Sequence, residues 1–324
     1  MQSLASIPRS SRSPRLPMPR TSKSQRSSAA RVARARVRPQ SRLGTWDLVR
    51  LIGEGQLASV YQARPTGAPA DQPAGYALKV LRPEWQDDSR GLSTLARETQ
   101  VGRTVAHPHL VPILAAQLVD PPYYLAMPFL EGHPLDEHLR VQGQLELPVA
   151  FWIARQVAEA LEALHQAGWM HCDVKPSNIL VSPRGHATLI DLGFARQVEE
   201  KGSVADRPVL GTIHYIAPEM LYSALGGDIR SDVYSLGVTL FEMLTGRLPF
   251  DAEDIAELAT QHRQELPGDL RSLVPHLPTR AARLTHQMLA KEPLRRPLLG
   301  DLVARLAALE IETFAERPSI DSAA

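Results

Sequence analysis

Residues 171–178 read His-Cys-Asp-Val-Lys-Pro-Ser-Asn and place three chemically useful side chains in one short stretch. Asp173 is suited to orient an attacking hydroxyl and accept its proton. Lys175 can neutralise a transferring phosphoryl group, and Asn178 can hold a divalent cation through its side-chain oxygen. Downstream, Asp191-Leu192-Gly193 adds a second hard oxygen ligand. Upstream lies Gly53-Glu54-Gly55-Gln56-Leu57-Ala58-Ser59-Val60, whose glycines let backbone N–H groups approach phosphate oxygens. Lys79 sits in the apolar run Tyr76-Ala77-Leu78-Lys79-Val80, where an ammonium needs a partner; Glu98 is the natural one. Each feature taken alone has a bland reading: a hairpin, a snorkelling lysine, an ordinary Asp-x-Gly turn.

The elements that must position these groups change character along the chain. Alternation and turn residues predict strands over 46–52, 59–64, 76–81, 111–119 and 123–128, a Pro/Gly-rich hairpin loop over 66–74, and one helix over 93–105. After Gly132 the pattern is helical. Pro148 suits a first helical turn, and Ile153, Val157, Ala160, Leu161 and Leu164 recur at helical spacing before Gly168. Further helices are expected over 231–244, closed by Gly246, and over 252–265, 279–289 and 298–309. A strand-rich first part and a helix-rich second part predict an α+β protein of two lobes. The Gly-rich turn is followed by a strand; a dinucleotide-binding fingerprint would need a helix there and is disfavoured.

A chain of 324 residues, 44% of them hydrophobic, can build a sizeable core. Its net charge of +1 hides an asymmetry. Residues 1–42 carry eleven Lys or Arg and no Asp or Glu, which leaves 25 basic against 35 acidic residues in the remainder. Residues 1–44 are rich in Ser, Arg and Pro and are expected to be a disordered basic tail. A transit peptide, a nucleic-acid-binding arm and an over-extended gene start remain open for this segment. A single cysteine excludes a disulfide framework and a cysteine zinc site. No run of about 18 apolar residues exists, so no membrane span is expected. The expected location is cytoplasmic, or an organelle if residues 1–42 are a transit peptide.

In order and spacing the motifs resemble the protein kinase superfamily, most closely bacterial Ser/Thr protein kinases, over residues 46–310. The resemblance implies a bilobal kinase fold. Residues 45–130 would form a small antiparallel-sheet lobe with one main helix, residues 131–310 a larger, mostly helical lobe, and residues 311–324 a short tail. It implies ATP and Mg²⁺ as cofactors. Asp173, Lys175, Lys79 and Glu98 would be catalytic. Ile52, Gly53, Gly55, Val60, Ala77, Lys79, Met127, Leu130 and Leu180 would bind nucleotide, with Met127 as gatekeeper and the Leu130 N–H on adenine. Asn178 and Asp191 would hold the metal. Ala217-Pro218-Glu219, Asp232 and Arg296 resemble the family's structural anchors.

The chain departs from the family pattern at four places. Ala58 replaces a third glycine, Leu192 replaces a Phe, and Gly102 stands where a larger apolar side chain would help lock the first helix inward. Cys172 replaces the Arg beside the catalytic Asp. Without that Arg, activity is expected to depend weakly on phosphorylation of the segment 191–219, whose acceptors are Ser203, Thr212 and Tyr215. Cys172 is read as an inert small side chain, with redox control as the sharper alternative. The expected function is a serine/threonine protein kinase acting on proteins, itself included. A pseudokinase is disfavoured because Lys79, Glu98, Asp173, Asn178 and Asp191 are all present. A small-molecule kinase is disfavoured by the Ala217-Pro218-Glu219 segment. The substrate and the oligomeric state are not legible in the sequence.

Overall fold

The computed structural model describes residues 41–69, 71–200, 213–222 and 227–315. The N-terminal part is an antiparallel sheet with one long helix. Its strands are β1 (Ser41–Leu43), β2 (Trp46–Glu54), β3 (Ala58–Pro65), β4 (Tyr76–Leu81), β5 (Ala115–Gln117) and β6 (Tyr124–Pro128), in the order β1-β2-β3-β4-β6-β5. Helix α1 (Ser89–Thr104) packs on one face.

Strand periodicity decides which β4 side chains meet that helix. Leu78 points to the far face, into a cluster with Ala63 and Ala126 that Trp46 and Tyr76 cover. Leu81 points the other way and packs with Leu95 of α1, Ile113 and Leu125. Lys79 is two positions from Leu81, so it shares the helix-facing side.

The remainder is mostly helical. Short strand β7 (His133–Pro134) leads into α2 (Leu135–Gln142) and α3 (Leu147–Gln166). Strands β8 (Trp169–Met170), β9 (Ile179–Val181), β10 (Ala187–Leu189) and β11 (Arg196–Gln197) follow, with β9 between β7 and β10, and β11 paired to β8. Helices α4 (Pro218–Tyr222), α5 (Arg230–Thr245), α6 (Ile255–Gln264), α7 (Leu270–Leu273), α8 (Thr279–Met288) and α9 (Leu299–Ala315) complete it. Helix α5 is buried almost all round, which marks it as the axis of the core and explains its weak amphipathicity. Gly246 closes it with φ 69°.

Several sequence expectations shift. Helix α1 starts at Ser89, four residues early, because the Asp88 carboxylate caps it by accepting the Arg90 N–H. The strand expected over 111–119 shrinks to Ala115–Gln117, since the Val111 and Ile113 N–H groups donate to Leu189 and Gly102 carbonyls instead. Of residues 1–44, expected to be a disordered tail, 1–40 lie outside the described residues, yet Ser41–Leu43 is a strand in register with Trp46, Asp47 and Leu48. Its partners are contributed by β2, which a local composition reading does not weigh. Helix α9 runs to Ala315, six residues beyond its expected end, so the short tail begins later than 311.

Gly102 is no gap either. A Cβ there would lie 2.5 Å from Ile113 Cγ1, so the apolar filling expected of a larger side chain is supplied by Ile113. Among the described residues no helix is long and apolar enough to cross a membrane.

Candidate active site

The polar residues form two clusters. The first joins three separate elements. Lys79 Nζ on β4 donates to Glu98 Oε2 on α1 at 2.7 Å and to Asp191 Oδ1 at 2.8 Å. Glu98 is 1% exposed and Asp191 about a third exposed, 32%. Burial pushes the Glu98 carboxyl up to about 7, against the pull of Lys79. Burial would lower Lys79, but Asp191 and Glu98 together hold its pKa above the ordinary lysine value. Burial opposes ionisation of Asp191 as well, and Lys79 outweighs it, so that carboxyl sits below the ordinary range. Lys79 thus favours the charge of both carboxylates, while Asp191 adds to the burial that raises Glu98.

Asp191 adopts a left-handed backbone, φ 65°, and its carboxylate accepts from Gly193 N at 3.4 Å. Gly193 passes so close to α1 that a Cβ would lie 2.5 Å from Thr94 Cγ2. The Leu192 N–H donates to Glu98, and Leu192 fills the apolar core. The substitution of Leu for Phe thus keeps the slot filled.

The second cluster lies within one loop. Lys175 Nζ donates to both Asp173 oxygens, at 3.1 and 2.8 Å. Asn178 Nδ2 donates to the Asp173 carbonyl and to Asp173 Oδ2, each at 2.8 Å. Asp173 is 4% exposed and fixed in orientation. The Ile190 N–H donates to the Asn178 carbonyl at 2.9 Å, and this sets Asp191 beside Asn178.

One buried carboxylate fixes the start of that loop. Asp232 on α5 accepts the His171 N–H at Oδ2 and the Cys172 N–H at Oδ1, each at 2.8 Å, with His165 Nε2 at 3.2 Å. Burial works against its charge, but the bond from His165 and its other donors keep its pKa low. Cys172 needs φ 63° to offer its N–H in this way and packs half-buried against the core. A second anchor pairs Arg296 with Glu219: Nη1 to Oε1 at 2.5 Å and Nη2 to Oε2 at 2.8 Å, with Ser231 Oγ also donating to Oε1. The remaining Arg296 N–H groups donate to Ala290, Arg230 and Lys291 carbonyls.

The residues assigned to nucleotide occupy strand positions around the first cluster. Ile52 and Gly53 are on β2, Val60 on β3, Ala77 on β4 and Met127 on β6, with Gly53 opposite Val60, Val60 opposite Lys79 and Ala77 opposite Met127. The Gly55 N–H donates to the Ala58 carbonyl at 2.8 Å and closes the turn. Pro128 has no N–H and the Phe129 N–H donates to Gly75, so Leu130 carries the next donor along the chain. Leu180 belongs to the separate sheet, opposite Pro134. Thr212 and Ser203 lie outside the described residues. Tyr215 Oη donates to Glu242 at 2.7 Å.

Sequence reasoning missed the pins on the Gly-rich turn. Trp85 Nε1 donates to the Gln56 carbonyl at 3.1 Å, Arg82 Nη1 to Gly55 at 3.2 Å and the Arg82 N–H to Leu57 at 2.9 Å. These donors lie some thirty residues away in the β4–α1 connection, and no spacing rule links them. A Trp placed before a helix start was the available signal.

For a cation, the donor chemistry is restrictive. Asn178 Nδ2 is committed to Asp173, so its Oδ1 is the atom left for a metal. Lys79 takes Asp191 Oδ1 and leaves Oδ2. Among the described residues no group of three or more His, Cys, Asp or Glu could hold an ion. Two hard oxygens without a full protein cage fit a Mg²⁺ that keeps waters and phosphate oxygens as its other ligands.

Comparison with known families matches residues 46–305 to the family described as protein kinase domain. Serine/threonine-protein kinase PrkC of Bacillus subtilis is 32% identical over 253 residues, covering 78% of this chain and 38% of that protein. Serine/threonine-protein kinase PknD of Mycobacterium tuberculosis is 32% identical over 281 residues, covering 86% and 41%. A probable serine/threonine-protein kinase of Clostridium perfringens is 30% identical over 262 residues, covering 79% and 38%. The chain thus spans about two fifths of the length of these curated relatives.

Proposed function

Because the chain belongs to the protein kinase family, we propose that it is a serine/threonine protein kinase that moves the γ-phosphoryl group of ATP to Ser or Thr hydroxyls of proteins, its own included. The observation that carries this reading is the Asp173 carboxylate, oriented by Lys175 and Asn178 within the loop that adjoins the Lys79–Glu98–Asp191 cluster.

Each residue has a part in the transfer. Asp173 orients the substrate hydroxyl and accepts its proton as the oxygen–phosphorus bond forms and the bond to the β–γ bridging oxygen breaks, releasing ADP. Lys175 offsets charge on the transferring group. Lys79, steadied by Glu98, holds the α- and β-phosphates, and the N–H groups of the Gly53–Gly55 turn cover them. Ile52, Val60, Ala77, Met127 and Leu180 enclose the adenine, with the Leu130 N–H as its donor. Asn178 and Asp191 would hold Mg²⁺, which when bound neutralises charge on the β- and γ-phosphates. Residues 45–130 and 131–310 serve as the two lobes of this enzyme. The Ser- and Arg-rich residues 1–42 supply hydroxyls for self-phosphorylation.

Incubation with radiolabelled ATP, with Asp173→Asn as control, tests the reading. Label on Ser or Thr of protein, lost in the variant, is the expected result. Nucleotide binding without transfer in the wild type would leave a pseudokinase, and label found only on a small molecule would move the assignment to that class.

A further inference from the structure

Arg97 neighbours Glu98 on α1, but it reaches in a different direction. Its Nη1 donates to the Ala195 carbonyl at 3.1 Å and to Glu200 Oε2 at 2.5 Å, and its Nη2 to Glu200 Oε1 at 3.0 Å. This is a two-pronged guanidinium–carboxylate pair, the geometry that gives an arginine pair its directionality. Glu200 is held for it. The Glu200 N–H donates to the Gln197 carbonyl at 3.0 Å, the Gln197 N–H to Glu200 Oε2 at 3.3 Å, and Arg196 Nη2 to the Glu200 carbonyl at 2.7 Å. That turn is tied to the catalytic loop, because Arg196 and Gln197 pair with Met170 and Trp169, immediately before His171, and the Val198 N–H donates to Gly168 at 3.0 Å.

We propose that Glu200 is a built-in anion that, through the positioning residue Arg97, latches α1 where Glu98 meets Lys79, so that the site assembles without phosphate added to the segment that follows Asp191. The latch rests on the kinase reading above and gives it a mode of regulation. It forms a continuous path from the catalytic loop through β8 and β11 to Glu200, Arg97, Glu98 and Lys79. Cys172 fits the same logic: it brings no positive charge that a phosphate would have to neutralise. The hydrogen bond from Arg97, followed by the fields of Arg97 and Arg196, holds the Glu200 carboxyl below its ordinary range, so the anion persists through neutral pH.

The test uses the full chain after phosphatase treatment, as wild type, Glu200→Gln, and the reversed pair Arg97→Glu with Glu200→Arg. Phosphoryl transfer to casein and hydrogen exchange of the α1 amides are measured on each. Glu200→Gln should lower kcat about fivefold, the factor expected from losing one well-oriented ion pair, with the KM for casein unchanged. It should also speed exchange in α1. The reversed pair should restore both to within about twofold, and 1 M salt should narrow the gap between wild type and Glu200→Gln by screening the pair. Equal α1 exchange in wild type and Glu200→Gln, or a reversed pair no better than the single variant, overturns the latch. So does a wild type that loses its activity on phosphatase treatment. Should wild type and Asp173→Asn both transfer nothing before treatment, the kinase reading fails, and the exchange data alone still decide the latch.

Discussion

The two halves of the site are held by different means. The 171–178 loop hangs from the helical core: Asp232, 1% exposed on the buried helix α5, takes two successive backbone N–H groups, and Asp173, Lys175 and Asn178 bond among themselves within six residues. The Lys79–Glu98–Asp191 cluster instead draws one charge each from a strand, a helix and a turn far apart in sequence and joins them by two ion pairs. We expect the loop's geometry to follow global stability, and that of the cluster to follow how α1 docks. Damage to the anchors should unfold the protein; damage to the cluster should disable it while it stays folded.

The largest effects test the loop itself. Asp173→Asn should lower kcat by about a thousandfold, the usual worth of a positioned general base, with an unchanged thermal melt. A melt that drops in parallel would mean the loop depends on Asp173 for its shape. Arg296→Met should cost about 3–5 kcal/mol of stability, because Glu219 loses its charged partner in a mostly buried site and keeps only the neutral Ser231 hydroxyl in its place. Urea unfolding measures this, and a loss near zero would erase the contrast between anchors and cluster.

An intermediate effect comes from pH at the cluster. The Glu98 carboxyl rises from its ordinary 4.5 to about 7 on folding. A raised carboxyl costs nothing below the unfolded value and carries its full desolvation cost above the folded one. Its contribution to stability therefore declines as pH rises from 4.5 to 7, while the ion pair with Lys79 strengthens over the same range. Phosphoryl transfer should thus fall below pH 7 although Glu98 favours the folded state more strongly there. Glu98→Gln should flatten that limb and lower activity about tenfold or more at pH 8. A pH profile unchanged by the substitution would break the assignment.

Smaller effects sharpen the comparison. Trp85→Phe removes one donor from the Gly-rich turn and should raise the KM for ATP about threefold, the worth of one hydrogen bond, without touching kcat. Cys172→Ser should leave activity within about twofold and insensitive to mild peroxide, since serine keeps the backbone N–H that Asp232 accepts and removes the oxidisable sulfur. A large loss in kinase rate from either measurement would move that residue into the chemistry.

Much of the fold was legible because periodicity is local. The β4 strand has the bounds expected from alternation, and α5 and α8 fall within a residue of theirs. Helix α2 and the short strands β1, β7, β8 and β11 were not legible, since two- or three-residue strands exist only through partners distant in sequence. The polar residues of the site were legible for a different reason. Asp173, Lys175 and Asn178 lie close enough in sequence that spacing alone implies a cluster, and Lys79 advertised its need for a partner by sitting in an apolar strand.

The sequence by itself determined the inventory of charges, the α+β order of elements and the family to which they belong, because residue type and short spacing carry that information. Tertiary structure decided which charges meet. Only the packing of α1 on the sheet brings Glu98 to Lys79 and Arg97 to Glu200, 103 residues apart. Only the approach of Ile113 turns Gly102 from a weak point into a close contact. Long-range pairs of this kind depend on where whole elements dock, and docking is governed by shape and burial summed over the core, which no local pattern encodes.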